Sequence, residues 1–429
     1  MKYNLLKSIM YVILSFTLFN SSLIQAQEDE DVVEKKRIKK KKKGKQIVAD
    51  VQLDLGYSSN VFKTPEGTYL DPETGLDNIS KKTSATFVNP DLSIEWLPLN
   101  KKRHKVSIEA AYDGMFYSGD TNVSNSNGYD TRADLFYEFS LKRKRIKVRK
   151  LSSKDQFKKI RKRKKRKNTH NLKIGGYLRQ HKFNYIHRGT GGLRVTRLNQ
   201  LEEENRYVYG ENGYYFKYNW KLKKMFNLGA EVNFFSKDYE EVANFGSYDR
   251  DVSVWKLKFD YRIYKRWKLG FGKKMISKNY LSHKANSVTG ASVTGTLRKY
   301  LEDESSVKIS FKAKKIRVKF GYKYFTRDDT YASYWSYAQN KYTSDFIYIF
   351  NKKYRVNLEH VQSNRQYMLE TNPDGAIRDR TNTSTGLSLK KSNSWGDVRL
   401  AVNDSNQVDK DPYYTYKKQL YSLSYSKEF

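Results

Sequence analysis

From Gln46 to the C-terminal Phe429, apolar residues recur at every second position in segment after segment, with turn residues between them. The cleanest segment has Ile316, Val318, Phe320, Tyr322 and Tyr324 alternating with Arg317, Lys319, Gly321 and Lys323. A period of two places these sets on opposite faces of an extended strand. Segments of roughly ten to sixteen residues, each with one apolar and one wet face, predict strands that cross a bilayer with the apolar face toward lipid. Composition agrees. Mean hydropathy is −0.84 although the chain holds 35 tyrosines and 22 phenylalanines. That combination suits a barrel with a polar interior and aromatic rims.

Sixteen segments are placed. The first is expected to run through Phe62, the second from Thr83 to Trp96. The third carries Val106 to Phe116, the fourth Ala133 to Leu141, the fifth Leu172 to Leu178 and the sixth Val208 to Leu222. Leu228 to Phe234, Trp255 to Ile263 and Trp267 to Phe271 mark the next three. The tenth holds Val307 to Phe311, its start falling somewhere in 286–305. Ile316 to Tyr324, Tyr342 to Phe350, Val356 to Leu358, Thr383 to Leu389 and Val398 to Val402 precede the last strand. The predicted fold class is all-β, a transmembrane antiparallel up-and-down barrel. Termini on one side require an even strand number, and fourteen is the alternative to sixteen.

The connections sort by length and charge. With a periplasmic N-terminus, links after even strands are expected to be short, and those around 98–103, 223–226, 264–266, 314–315, 352–353 and 390–393 are so. They contain Lys101, Lys102, Arg103, Lys223, Lys224, Lys265, Arg266, Lys314, Lys315, Lys352 and Lys353 and no acid. Links after odd strands are longer and hold Glu66, Asp71, Glu202, Glu203, Glu204, Glu240 and Asp374; one is expected over Asn364–Asp379. Trp96, Trp220, Trp267 and Trp395 sit beside the short links, as an interfacial belt requires.

The final segment ends the chain in Phe429, with Tyr421, Leu423 and Tyr425 on its apolar side and Ser422, Ser424, Ser426 and Glu428 on the other. It resembles the terminal strand of Gram-negative outer-membrane β-barrel proteins. Leu55-Gly-Tyr-Ser-Ser-Asn-Val-Phe62 resembles the Tyr-x-x-Asn-Val-Phe start of outer-membrane β-barrel porin families. Those families include barrels attached to polysaccharide-export and surface-assembly systems. The resemblance implies residence in the outer membrane and a channel or accessory role.

At the N-terminus, Lys2 and Lys7 precede the apolar run Ile9–Phe19, and small residues lead to Ala26. This is the pattern of a signal peptide over 1–26, and the run is too short to span a bilayer comfortably. Residues 27–45 form a charged tail, expected to be disordered. The net charge of +37 would ordinarily suggest nucleic acid, but nine basic residues lie in Lys35–Lys45 and seventeen in Lys142–Lys167. Without these two blocks the charge falls to roughly +12, and an exported barrel gives no reason to expect nucleic acid. The second block is read as a basic periplasmic insertion over 143–169. It is either a solvated spacer or a docking point for an anionic periplasmic protein, cell-wall polymer or lipid headgroup.

The chain contains no cysteine, which excludes disulfides and thiol chemistry. Its six histidines form no tight metal-ligand spacing, so neither metal nor cofactor is expected. His360 and Ser363 are the nearest approach to a catalytic pair, and no complete nucleophile–base–orienter set can be assembled, so an enzyme is not expected. Cations on the predicted interior face are the candidate pore lining: Arg179, Lys217, Lys256, Lys258, Arg262, Lys308, Arg317, Lys319, Lys323, Arg355 and Arg399, with Lys173 and Lys312 beside them. Acids share this face, and cross-strand pairing is the alternative explanation of its charges. The expected function is a porin-like channel for anionic solutes or saccharides. The alternative is an accessory barrel subunit of an envelope assembly or polysaccharide-export system, docking through the basic periplasmic segments.

Overall fold

The computed structural model describes residues 47–65, 67–70, 77–79, 82–101, 103–119, 121–124, 126–143, 168–183, 208–222, 225–239, 248–351, 353–371 and 375–429. The expected signal peptide, the charged tail and most of the basic insertion lie outside these residues.

Sixteen antiparallel strands close into one barrel. They are β1 (Ile47–Ser58), β2 (Ala85–Asn100), β3 (His104–Ser118), β4 (Gly128–Arg143), β5 (Asn168–Phe183) and β6 (Tyr209–Leu222). Next come β7 (Phe226–Tyr239), β8 (Arg250–Tyr261), β9 (Trp267–Asn286), β10 (Ser292–Lys312) and β11 (Ile316–Asp329). β12 (Tyr337–Ile349), β13 (Tyr354–Thr371), β14 (Ile377–Ser392), β15 (Asp397–Asp409) and β16 (Tyr416–Glu428) complete the ring. Each pairs with its sequence neighbours, so sixteen is the strand number and fourteen is set aside.

Closure joins the first strand to the last. Leu53 pairs with Tyr425, Leu55 with Leu423 and Tyr57 with Tyr421, and the Phe429 N–H donates to the Ala49 carbonyl at 2.8 Å. Apolar residues therefore meet across the seam on the outer face. On the inner face Gly56 is required by crowding. A Cβ there would lie 2.3 Å from the Tyr421 carbonyl oxygen and 2.4 Å from the Phe87 ring.

The outer surface carries the apolar set. Leu135, Ile174, Leu257 and Leu400 are half or more exposed, a pattern that only lipid satisfies over a whole barrel. The band is not of even height. On β3 it reaches from Val106 to Phe116, whereas on β13 only Tyr354, Val356 and Leu358 precede outward His360 and Gln362. On β9 and β10 it is interrupted by outward Lys273, which ion-pairs with outward Asp303 and donates to the Ser305 hydroxyl at 3.1 Å.

Two expectations on strand ends are corrected, and the open start of the tenth strand is located. β1 stops at Ser58 rather than Phe62, because Asn60 turns the chain inward. The Asn60 amide donates to the carbonyls of Thr64 at 3.0 Å and Lys417 at 3.1 Å, and the Thr64 N–H returns to Asn60 Oδ1 at 2.8 Å. Val61 and Phe62 then pack with Ala85 and Val123 in a small buried cluster at the extracellular end. The start of β10 is Ser292, so β9 and β10 run for 20 and 21 residues around a turn over 287–291. Most of Asn364–Asp379, read as a loop, is strand: β13 continues to Thr371 and β14 begins at Ile377. A short hairpin of Thr68–Leu70 with Asp77–Ile79 tops the β1–β2 link, and Pro412–Tyr414 forms one 3-10 turn between β15 and β16.

Candidate functional site

Alternation fixes which side chains enter the lumen. A ring of sixteen strands is wide enough to leave an aqueous channel between them. All the candidate cations fall on the inner face or at its periplasmic rim, but they do not share one environment. Several are matched by acids. Arg179 Nε donates to Asp130 Oδ1 at 3.0 Å, Lys217 and Lys256 reach Glu231 at 3.4 and 3.0 Å, and Lys323 reaches Glu304 at 3.1 Å. Lys319 ion-pairs with Asp345 across β11 and β12. In the periplasmic half Lys258, Lys308, Lys312, Arg355 and Arg399 are exposed. Arg317 is half-buried near them, within electrostatic range of Arg355, as is Arg399. Arg262 lies just past β8 at the rim. With Lys221, Phe226, Asn227, Asp260 and Lys268 it lines a cleft of about 520 Å³. Lys173 lies over the Phe136 ring at 3.3 Å and is not part of the open region.

Small residues make room for these cations. Gly270, Gly272 and Gly321 face the lumen beside Lys308. A Cβ on Gly321 would lie 3.7 Å from Lys308 Cε, and one on Gly270 3.8 Å from Lys308 Cβ. The lysine thus lies over bare backbone.

The extracellular half is built differently. There inward arginines and tyrosines of β7–β16 are buried against one another in stacks. Arg250 lies between Tyr239 and Tyr280, at 5.4 and 5.3 Å, and donates to both hydroxyls. Arg327 lies between Tyr300 and Tyr337 at 5.0 and 4.8 Å, and Arg365 covers Tyr337 at 4.0 Å while donating to Gln339. Arg378 and Arg380 share Asp409, and both reach the Tyr414 ring, at 4.2 and 4.8 Å. Each contact combines a cation–π face with a hydrogen bond or ion pair, which lets guanidinium groups be buried at tolerable cost. This belt escaped sequence reading. Its one signal is inward arginine next to inward tyrosine on adjacent strands, visible only once registers are known.

The acids also sort by wall. Inward on β1–β4 are Asp50, Asp54, Asp91, Glu95, Glu109, Asp113, Asp130, Asp134 and Glu138, against Lys105 and Arg132 among the described side chains. Inward on β8–β11 are Arg250, Lys256, Lys258, Lys268, Lys274, Lys278, Lys308, Lys312, Arg317, Lys319, Lys323 and Arg327, against Asp260, Glu302, Glu304 and Asp329. The sequence presents one mixed pool of lumen charge. The ring order divides it.

His360 and Ser363 do not meet. His360 faces outward and contacts the Thr385 hydroxyl at 2.9 Å, whereas Ser363 is buried on the inner face and accepts from Gln339 at 3.1 Å. Among the described residues no group of three histidines and carboxylates is placed to hold a metal ion.

A closed ring of sixteen strands, apolar outside and charged within, is an outer-membrane β-barrel of porin-like build. Solved structures to which the chain is similar include OccAB3 of Acinetobacter baumannii, with 10% identity over 89% of this chain and 99% of that one, at a TM-score of 0.45. A BenF-like porin from Pseudomonas fluorescens matches with 8% identity over 90% and 99%, at a TM-score of 0.44. OmpT of Vibrio cholerae matches with 9% identity over 89% and 96%, at 0.41. No family model and no curated protein matches the chain.

Proposed function

We propose that this barrel is a porin-like channel that favours anionic solutes, charged saccharides included. The observation that carries the reading is the solvated periplasmic vestibule, where Lys258, Lys308, Lys312, Arg355 and Arg399 line the lumen beside glycines that keep it open. Cations lining a wet passage lower the barrier for anions and raise it for cations. The buried arginine–tyrosine layer above it supports a rigid, narrower extracellular half. The protein acts as a conduit, without catalysis of its own. The accessory reading rests on basic segments outside the described residues, and no described feature favours it.

Planar-bilayer recording of the purified protein in a KCl gradient tests the channel. The expected reversal potential is that of an anion-selective pore, shifting toward cation selectivity in a Lys258→Glu/Lys308→Glu variant. Absence of conductance, or cation selectivity in the unaltered protein, would refute it.

A further inference from the structure

The outer wall holds a groove that takes no part in the channel. At the periplasmic ends of β4, β5 and β6, Phe139, Leu141, His170, Leu172 and Tyr218 enclose a cavity of about 350 Å³. Alternation puts all five on the lipid-facing side. Phe139, Leu172 and Tyr218 each lie four residues from the periplasmic end of their strand, and His170 lies two. For strands tilted near 40° these are depths of roughly 10 and 5 Å, at the boundary between headgroups and acyl chains of the periplasmic leaflet.

The chemistry here differs from that of the neighbouring rim. Trp267 covers Phe311 and Phe226 covers Tyr261, with ring centroids 4.9 Å apart in both pairs. Across β3–β6 the same belt carries two histidines. His104 Nδ1 is hydrogen-bonded to the Tyr137 hydroxyl at 2.6 Å, and His170 Nδ1 to the Tyr218 hydroxyl at 2.8 Å. His104 also packs on Phe139 at 5.1 Å, at the edge of the groove. A hydroxyl donating to Nδ1 leaves the ring proton on Nε2, so each neutral imidazole presents an N–H donor. Neither Nε2 has a partner among the described residues. Trp220 stacks on His170 at 6.0 Å, and its buried indole N–H has no acceptor among the described residues. A buried donor calls for an acceptor, and protein supplies none here.

Cationic charge stands beside these donors. The Arg103 carbonyl accepts from the Ser140 N–H at 2.7 Å, which sets exposed Arg103 beside Phe139 and Leu141, with exposed Lys101 in the same turn. The β4–β5 link begins and ends beside the groove, and its sequence from Lys142 to Lys167 holds seventeen basic residues and one acid. Basic residues at a membrane surface draw anionic headgroups.

We infer that this groove holds one phospholipid of the periplasmic leaflet with an anionic headgroup. An acyl chain lies between Phe139, Leu172 and Tyr218, and the phosphate and headgroup oxygens meet the Nε2 donors of His104 and His170. The site goes beyond the channel reading and does not depend on it.

Native mass spectrometry of the detergent-purified protein supplies the test, with dioleoyl phosphatidylglycerol and dioleoyl phosphatidylcholine as probes. Ammonium acetate at about 0.5 M screens the more distant basic segments. One phosphatidylglycerol is expected to bind at least about fivefold more tightly than phosphatidylcholine, a ratio worth about 1 kcal/mol. His104→Phe/His170→Phe keeps the rings and removes the donors, and should bring the ratio to about one. Leu172→Trp fills the groove and should weaken both lipids at least about fivefold while the ratio holds. Equal affinity for the two lipids in the unaltered protein overturns the inference. So does a preference that survives the histidine variant, or binding that Leu172→Trp leaves unchanged. Because the groove lies outside the lumen, none of these outcomes bears on pore selectivity.

Discussion

Asp409 is the residue whose loss the extracellular half should tolerate least. It accepts from Arg378 Nη2 at 3.0 Å, ion-pairs with Arg380 and receives the Asp411 N–H at 3.0 Å. Arg378 and Arg380 are only 5% and 1% exposed. Asp409→Asn keeps size and some hydrogen bonding but removes the charge. Arg378 retains Glu370, with which it is also paired, so the uncompensated guanidinium is chiefly that of Arg380. Removing one partner of a buried pair costs about 3–5 kcal/mol, or roughly a hundredfold to five-thousandfold in the folding equilibrium. Urea unfolding followed by tryptophan fluorescence measures the change. Asp404→Asn supplies the control, being on the same strand but exposed on the outer face, and should shift stability by no more than about 0.5 kcal/mol. Adding Arg380→Gln to Asp409→Asn should recover part of the loss by withdrawing the orphaned charge. Equal effects of Asp409→Asn and Asp404→Asn, or no recovery in the double variant, would refute this account.

Two further outcomes follow from other contacts. Asn60→Ala removes the hydrogen bonds to Thr64 and Lys417 and leaves buried backbone groups unpaired, which should cost about 1–3 kcal/mol and read out as a lower Tm. Replacing outward Lys273 and Asp303 together by leucine should stabilise the barrel in bilayers, whereas Asp303→Leu alone should destabilise it by up to about 2–4 kcal/mol, because the lone ammonium then faces lipid. Refolding yields into vesicles at increasing urea distinguish these signs.

How much of this is legible in the chain depends on what each residue must satisfy. Lipid-facing positions have one acceptable chemistry, so the alternation in Ile316–Tyr324 or Trp255–Phe259 marks a strand without further information. Where a strand rises beyond the apolar zone, that requirement lapses. Gln362, Asn364 and Gln366 face outward on β13 yet look like loop residues, which is why most of Asn364–Asp379 reads as a loop in the sequence. The Asn60-Val61-Phe62 stretch reads as a strand end because its alternation continues, while the structure uses Asn60 to bend the chain inward. Lumen residues obey a weaker rule still. Parity assigns Lys258, Lys308 and Asp113 to the interior, but only the ring order shows which of them oppose one another. The arginine–tyrosine belt depends on registers between strands distant in sequence, such as Arg378 beside Asp409, and no local pattern announces it.

The uneven apolar band sets how the molecule must stand in its membrane. Between Val106 and Phe116 on β3 the lipid-facing zone is six residues longer than between Tyr354 and Leu358 on β13, roughly 15 Å along the membrane normal for tilted strands. A bilayer of uniform thickness matches neither side of an upright barrel. Leaning the extracellular end toward the β3 side by roughly 15° would level the midplanes of the two zones across a ring about 30 Å wide, with residual mismatch absorbed by thinner lipid beside β13. The pore axis is then oblique to the membrane, and solutes leave the vestibule toward one flank of the periplasmic rim.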